Sequence, residues 1–150
     1  MKLNAPIICL FAGLLLTFAA CKKEEDPEID PVPVISMDQV SQTRVPQFTD
    51  DLTLTISYED QDGDLGFESA DSMAIEVQDS RLSQPDLYHL RPLSPPETQL
   101  HIKGSIDVVV LAPFLLGNGG DETLTYTLRI RDRAGNWSNK VVSPPITITQ

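Results

Sequence analysis

Three aspartates separated by single residues are the clearest chemical signal in the sequence. Asp60, Asp62 and Asp64 lie in the predicted loop 59–66, where Gly63 permits a sharp turn between them. Calcium prefers six to eight oxygen ligands at about 2.3–2.6 Å, and closely spaced carboxylates in a bent loop supply several of them. The spacing differs from that of an EF-hand, because the glycine comes too early and no glutamate follows at the required place.

A second loop, residues 132–136, contains two further oxygen ligands, Asp132 and Asn136. In an antiparallel β-sandwich, the loop after the second strand and the loop before the last strand lie at the same end. We therefore expect Asp132 and Asn136 to approach the first three aspartates. The five residues together predict an extracellular calcium site with a dissociation constant of about 10⁻⁴–10⁻³ M.

The acidic loop also has an explanation that needs no metal. Aspartate and glycine are common turn residues, and the guanidinium groups of Arg131 or Arg133 could neutralise the carboxylates. Both interpretations stay open from the sequence alone.

Signals for catalysis are weak. His89 and His101 are the only histidines, their spacing does not match a zinc site, and the chain lacks a Gly-x-Ser-x-Gly nucleophile motif. We therefore expect a protein that is not an enzyme. Trp137, at the edge of the second loop, is a candidate ligand-binding residue because an indole can stack on a sugar ring; the alternative is that it covers the core.

Alternation of apolar and polar residues predicts the strands that must position these loops. The period of two marks half-buried strands in six segments, and they lie near residues 34–37, 52–58, 73–77, 102–111, 124–130 and 141–149. The pattern predicts an all-β fold, an antiparallel immunoglobulin-like β-sandwich over residues 34–150. Four prolines make residues 81–98 a predicted surface excursion, and Pro144 and Pro145 interrupt the last strand.

The first 20 residues have the parts of a signal peptide, with Lys2 followed by an apolar run over residues 7–20. This run is shorter than the roughly 20 residues that cross a bilayer as a helix. Phe18-Ala19-Ala20-Cys21 resembles the bacterial lipobox, where a peptidase cuts before a diacylated cysteine. Cys9 would leave with the signal peptide, so we expect Cys21 to be the only retained thiol, to carry the lipid and to attach the protein to the bilayer.

The mature chain is strongly acidic. Removal of Lys2 with the signal peptide changes the net charge from −11 to −12, which disfavours nucleic-acid binding. Residues 21–33 contain the lipidated cysteine and a predicted disordered tether, because charges and prolines leave little to bury. Lysines and then acids after Cys21 resemble the surface-export signal of Bacteroidota-type lipoproteins, which implies the outer membrane and the cell surface; the alternative faces the periplasm.

Two motifs also resemble those of a known group. ISYEDQDGDLG (residues 56–66) and LRIRDRAGNWSN (residues 128–139) look like paired motifs of immunoglobulin-like lipoproteins of Bacteroidota-type bacteria. The resemblance implies the fold and the location only. We expect a non-enzymatic binding or adhesion module whose partner is a protein or a glycan; the alternative is an accessory subunit of an outer-membrane complex.

Overall fold

The computed structural model describes residues 29–150, so the predicted signal peptide and Cys21 lie outside the described residues. This part of the chain is all-β, as the alternation predicts. Its ten strands are β1 (Val34–Val40), β2 (Arg44–Pro46), β3 (Leu52–Asp60), β4 (Met73–Asp79), β5 (Asp86–His89), β6 (Ile102–Val110), β7 (Glu122–Leu124), β8 (Tyr126–Ile130), β9 (Val141–Val142) and β10 (Ile146–Thr149).

The strands form three sheets, ordered β1-β3-β6, β5-β4-β8-β9 and β2-β10-β7. All pairs are antiparallel except β10 with β2. The longest ladder joins β3 to β6, with Leu52 opposite Val110 at one end and Asp60 opposite Ile102 at the other. This ladder separates two groups of loops, those near Leu52 and those near Asp60.

Alternating side chains from the sheets build one core. In β3, Leu52, Leu54 and Ile56 are fully buried, and in β8, Leu128 and Ile130 are as well. The buried side chains of the three sheets form a single cluster. Burial of each large aliphatic side chain stabilises the fold by about 1.5–3 kcal/mol, so this cluster is the frame that fixes the loops at both ends.

Several local features differ from the sequence pattern. β2 was not predicted, because three residues are too short to show a period. β5 lies inside the predicted excursion, in a stretch that contains no proline. It pairs only with β4 and is therefore an edge strand. The continuously apolar run at the end of β6 alternates in burial, since Val108 and Val110 are buried while Val109 is 39% exposed. Pro144 and Pro145 separate β9 from β10, as expected.

Contacts between the N-terminal segment and the domain begin within the predicted tether. The Asp30 N–H donates to Gln61 Oε1 (3.1 Å), and Pro33 is buried. The N-terminal segment therefore joins the domain beside the loop that follows β3. Among residues 29–150 no helix is long and apolar enough to cross a membrane.

Replacing Leu128 with alanine tests the core. Leu128 is fully buried, so Leu128→Ala should lower the free energy of unfolding by about 2–5 kcal/mol, because it leaves a cavity between the sheets. Leu87→Ala is the control, since Leu87 is 55% exposed and its loss should cost less than about 0.5 kcal/mol. Urea denaturation measures both, and equal effects would contradict the proposed core.

Candidate metal centre

The three aspartates of the first loop meet at the end of β3. Asp60 is the last residue of that strand, opposite Ile102, rather than a loop residue as the sequence suggested. Asp62 and Asp64 lie in the turn that follows, and carboxylate oxygens of the three residues lie within 4.8 Å of one another. Asp60 is fully buried, whereas Asp62 and Asp64 are half-buried. The turn thus gathers three negative charges in a small volume.

A tight backbone turn produces this convergence. Gly63 has φ +70°, and a Cβ there would lie 2.1 Å from the Leu100 carbonyl oxygen, so no other residue fits without moving that segment. The Leu100 N–H donates to the Asp62 carbonyl oxygen (3.3 Å). The Leu65 N–H donates to Asp60 Oδ2 (3.2 Å), which closes the turn on the first carboxylate.

The second loop lies against the first. Asp132 is fully buried and forms an antiparallel bridge with Leu65. The N–H groups of Arg133 and Ala134 donate to the Asp64 carbonyl oxygen (3.2 Å) and to Asp64 Oδ2 (3.0 Å) respectively. Asp132 therefore adds a fourth carboxylate next to the three aspartates.

Asn136 contacts Asp132 rather than the other aspartates. Its backbone N–H donates to Asp132 Oδ1 (2.7 Å), and its side-chain Nδ2 donates to Asp132 Oδ2 (2.8 Å). The same Nδ2 lies 3.4 Å from the Pro31 carbonyl oxygen. In this arrangement Asn136 orients Asp132 and touches the N-terminal segment, and the ligand role that the sequence suggested for Asn136 stays a prediction.

Each aspartate of the first loop has a buried oxygen without a hydrogen-bond partner. Asp60 Oδ1, Asp62 Oδ1 and Asp64 Oδ1 are buried and accept no hydrogen bond. Leaving a buried carboxylate oxygen unpaired is costly, because the lost hydration is not replaced. These oxygens therefore require either a bound cation or a proton shared between carboxyl groups.

The two neighbouring arginines do not supply that charge as ion pairs. Arg131 donates to the Met73 carbonyl oxygen (3.2 Å), and its guanidinium lies over the rings of Phe67 and Trp137. Arg133 donates to the carbonyl oxygens of residues 63, 65 and 66. None of the ion pairs among residues 29–150 includes an aspartate of the cluster.

Burial and repulsion between the carboxylates raise pKa values in the cluster. Burial, followed by a hydrogen bond between the Asp62 and Asp60 carboxyl groups and by the charges of Asp64, Asp60 and Asp132, raises the pKa of Asp62 to about 7. Burial and the charge of Asp132 also raise the pKa of Asp64, and the nearby Arg133 opposes this only in part. Without a cation, the folded protein resists carrying all these charges at neutral pH.

A cavity of about 310 Å³ opens above the cluster. Its walls come from the first loop, the second loop and the proline-rich excursion, and the lining residues are Asp62, Asp64, Glu97, Thr98, Gln99 and Arg133. Glu97, which has φ +63°, brings another carboxylate to this cavity. Sequence reasoning missed Glu97, because only the path of the excursion across the first loop brings it there.

The remaining sequence candidates are engaged elsewhere. Trp137 is half-buried, and the Arg129 guanidinium lies 4.1 Å from the centre of its ring, so that face is not free to stack on a sugar. His89 Nδ1 lies 3.0 Å from the Ser72 carbonyl oxygen, and His101 Nε2 lies 2.9 Å from Glu59 Oε1. These contacts give neither histidine a nucleophile to activate.

No family model, curated protein or solved structure matches this chain. The functional assignment therefore rests on the geometry of its own residues. Within residues 29–150, that geometry identifies the acidic cluster as the group of side chains suited to hold a metal ion.

Neutralising one member of the cluster should stabilise the metal-free protein. Asp62→Asn removes one negative charge from the group, so the thermal midpoint in excess EGTA should rise by a few degrees because repulsion falls. Asp50→Asn is the matched control, since Asp50 is exposed and precedes the opposite end of β3. Differential scanning calorimetry measures both; a lower midpoint for Asp62→Asn than for wild type would contradict the repulsion.

Proposed function

We propose that this protein is a lipid-anchored, non-enzymatic binding module whose loop end is held together by calcium. The proposal rests on Asp60, Asp62 and Asp64, which bring carboxylate oxygens within 4.8 Å of one another and each have a buried oxygen without a partner. No ion pair among residues 29–150 neutralises them. An all-oxygen donor set suits a hard cation and disfavours zinc or copper, which favour nitrogen and sulfur ligands.

The unpartnered Oδ1 atoms of Asp60, Asp62 and Asp64 bind the ion directly. Asp132, oriented by Asn136, adds negative charge beside them. The cavity above the aspartates has room for water molecules and for the Glu97 carboxylate, which bring the oxygen count toward the six to eight that calcium prefers. Magnesium fits less well, because it demands a near-ideal octahedron and gives up its water reluctantly.

The ion connects parts of the chain that are distant in sequence. The first loop, the second loop and the excursion all contribute to the walls of the cavity. A cation at the centre replaces repulsion between carboxylates by attraction to a shared charge, and it holds the two loops in one geometry. At a free concentration ten times the dissociation constant, binding stabilises the fold by about 1.4 kcal/mol.

We also propose that the all-β fold is an immunoglobulin-like sandwich. Its support is the pairing order, with β1-β3-β6 in one sheet and β5-β4-β8-β9 in another. In the immunoglobulin fold the first, second and fifth strands share one sheet, and the third, sixth and seventh share the other. The lipid on Cys21 and the outer-membrane location rest on the sequence motifs alone.

Calcium should raise the thermal midpoint of the metal-free protein. Millimolar calcium added after EGTA treatment should stabilise the wild type in a saturable way, and Asp60→Asn should abolish the increase because it removes a buried ligand charge. Asp50→Asn should respond as the wild type does. An unchanged wild-type midpoint at millimolar calcium would rule out the site.

The anchor has a separate test. Wild-type protein should enter the detergent phase on Triton X-114 extraction of the cells that produce it, and mass spectrometry should find an acylated Cys21 at its N-terminus. Cys21→Ser should remove the acyl groups and leave an uncleaved precursor, because the peptidase requires the modified cysteine. A wild-type mature chain beginning at any other residue would contradict the anchor.

A further inference from the structure

The end of the domain opposite the metal centre carries an exposed aromatic patch, formed by Phe48, Leu111, Phe114 and Leu116. Their exposed fractions are 68%, 72%, 43% and 47%. The rings of Phe48 and Phe114 are stacked, with 6.0 Å between centroids and an interplanar angle of 3°. Contiguous exposed apolar groups of this kind mark interaction sites, whereas single exposed apolar residues are ordinary.

The patch lies far from the segment that leads to the anchor. It follows β2 and β6 at the Leu52 end of β3, since Leu52 pairs with Val110. The N-terminal segment joins at the other end, where Val34 pairs with Glu59. The nine residues of β3 separate the two ends by about 27 Å. The patch therefore points away from the point where the tether enters.

A partly buried network of charges holds the backbone of the patch at Phe114 and Leu116. Arg81, whose side chain is 13% exposed, pairs with Asp79 (2.8 Å) and Glu122 (2.7 Å) and donates to the Phe114 carbonyl oxygen (3.0 Å). Glu122 accepts the N–H groups of Leu116 (3.0 Å) and Gly117 (2.7 Å). Phe114 and Leu116 are thus presented on a backbone held by side-chain contacts, which lowers the entropy lost on binding.

Backbone strain accompanies the exposed ring. Phe48 has φ +58°, a left-handed conformation that costs a bulky residue about 1–2 kcal/mol. Its N–H donates to the Pro113 carbonyl oxygen (3.2 Å), and the Ala112 N–H donates to Asp51 Oδ1 (3.0 Å). A strained aromatic residue that remains mostly exposed contributes little to folding, and such strain is concentrated at functional sites.

The charges around the patch indicate what binds there. Arg44 and Arg81 pair with three acidic residues at this end, Asp121, Asp79 and Glu122. Asp50 and Asp51 lie beside the patch and form no ion pair among the described residues, so the border of the patch is acidic. Two copies of the chain that met through this surface would bring two acidic borders together, and an anionic lipid surface would be repelled as well. We propose that the patch docks a partner protein with an apolar pocket bordered by lysine or arginine.

The division of roles follows from exposure and charge. Phe48 and Phe114 insert into the apolar pocket, since aromatic side chains on a rigid support supply most of the energy of an interface. Asp50 and Asp51 meet the basic border and set the orientation of the partner. This inference is independent of calcium binding, because the patch and its supporting charges lie at the other end of β3.

Photo-crosslinking of the full chain in the cells that produce it tests the proposal. p-Benzoylphenylalanine at position 48 should give a discrete adduct with another protein, and mass spectrometry should place the crosslinked segment beside lysine or arginine. The same group at the exposed position 87 of β5 is the control and should give none. Reversing the border charge with Asp50→Lys should lower the adduct yield severalfold; Asp51 is left unchanged because its side chain also accepts the Ala112 N–H.

A stability measurement separates binding from folding. Phe48→Asn places a residue that tolerates the left-handed conformation, so the thermal midpoint should stay the same or rise. In the same variant, p-benzoylphenylalanine at position 114 should lose its adduct. No adduct above the control, an adduct to lipid or to a second copy of the chain, a crosslinked segment without basic residues, or a yield indifferent to charge reversal would each overturn the proposal.

Discussion

Uncompensated negative charge at one end of β3 is the constraint on which this structure depends. Asp60 and Asp132 are fully buried, and Asp62 and Asp64 lie between them in a turn that only Gly63 permits. Such a group is unstable by itself, since each carboxylate loses hydration and repels its neighbours. Backbone N–H groups from Leu65, Ala134 and Asn136 satisfy some of the oxygens, and three remain for a cation.

The same strand separates two kinds of surface. Near Asp60 the loops are polar, acidic and close to the N-terminal segment, whereas near Leu52 they expose stacked aromatic rings. The charge networks also differ, because Arg81 pairs with two acids at the aromatic end while no ion pair among residues 29–150 includes the aspartates of the metal centre. The aspartates at one end thus have no cationic partner among the described residues, whereas at the other end Arg81 neutralises Asp79 and Glu122 beneath the apolar surface and leaves Asp50 and Asp51 charged at its border.

Local pattern was enough to predict the longer strands and the acidic turn, but it missed β2 and β5 and merged β7 with β8, which belong to different sheets. Half-buried strands such as β3 and β8 alternate strictly, and Asp60, Asp62 and Asp64 are close in sequence, so any turn there gathers them. The contacts that the pattern missed form between segments that are distant in sequence and meet only in the folded chain. Glu97 reaches the cavity only because the excursion crosses the first loop, and Phe48 meets Phe114 across 66 residues of sequence. The engagement of Arg133 with carbonyl oxygens likewise required the loop geometry.

Anomalous X-ray diffraction from crystals grown in millimolar calcium tests the central claim most directly. An anomalous peak should lie about 2.3–2.6 Å from Asp60 Oδ1, Asp62 Oδ1 and Asp64 Oδ1, and it should vanish from crystals of Asp60→Asn. A well-ordered cluster without such a peak, with its carboxylates bridged by water or by the guanidinium of Arg131 or Arg133, would contradict the account.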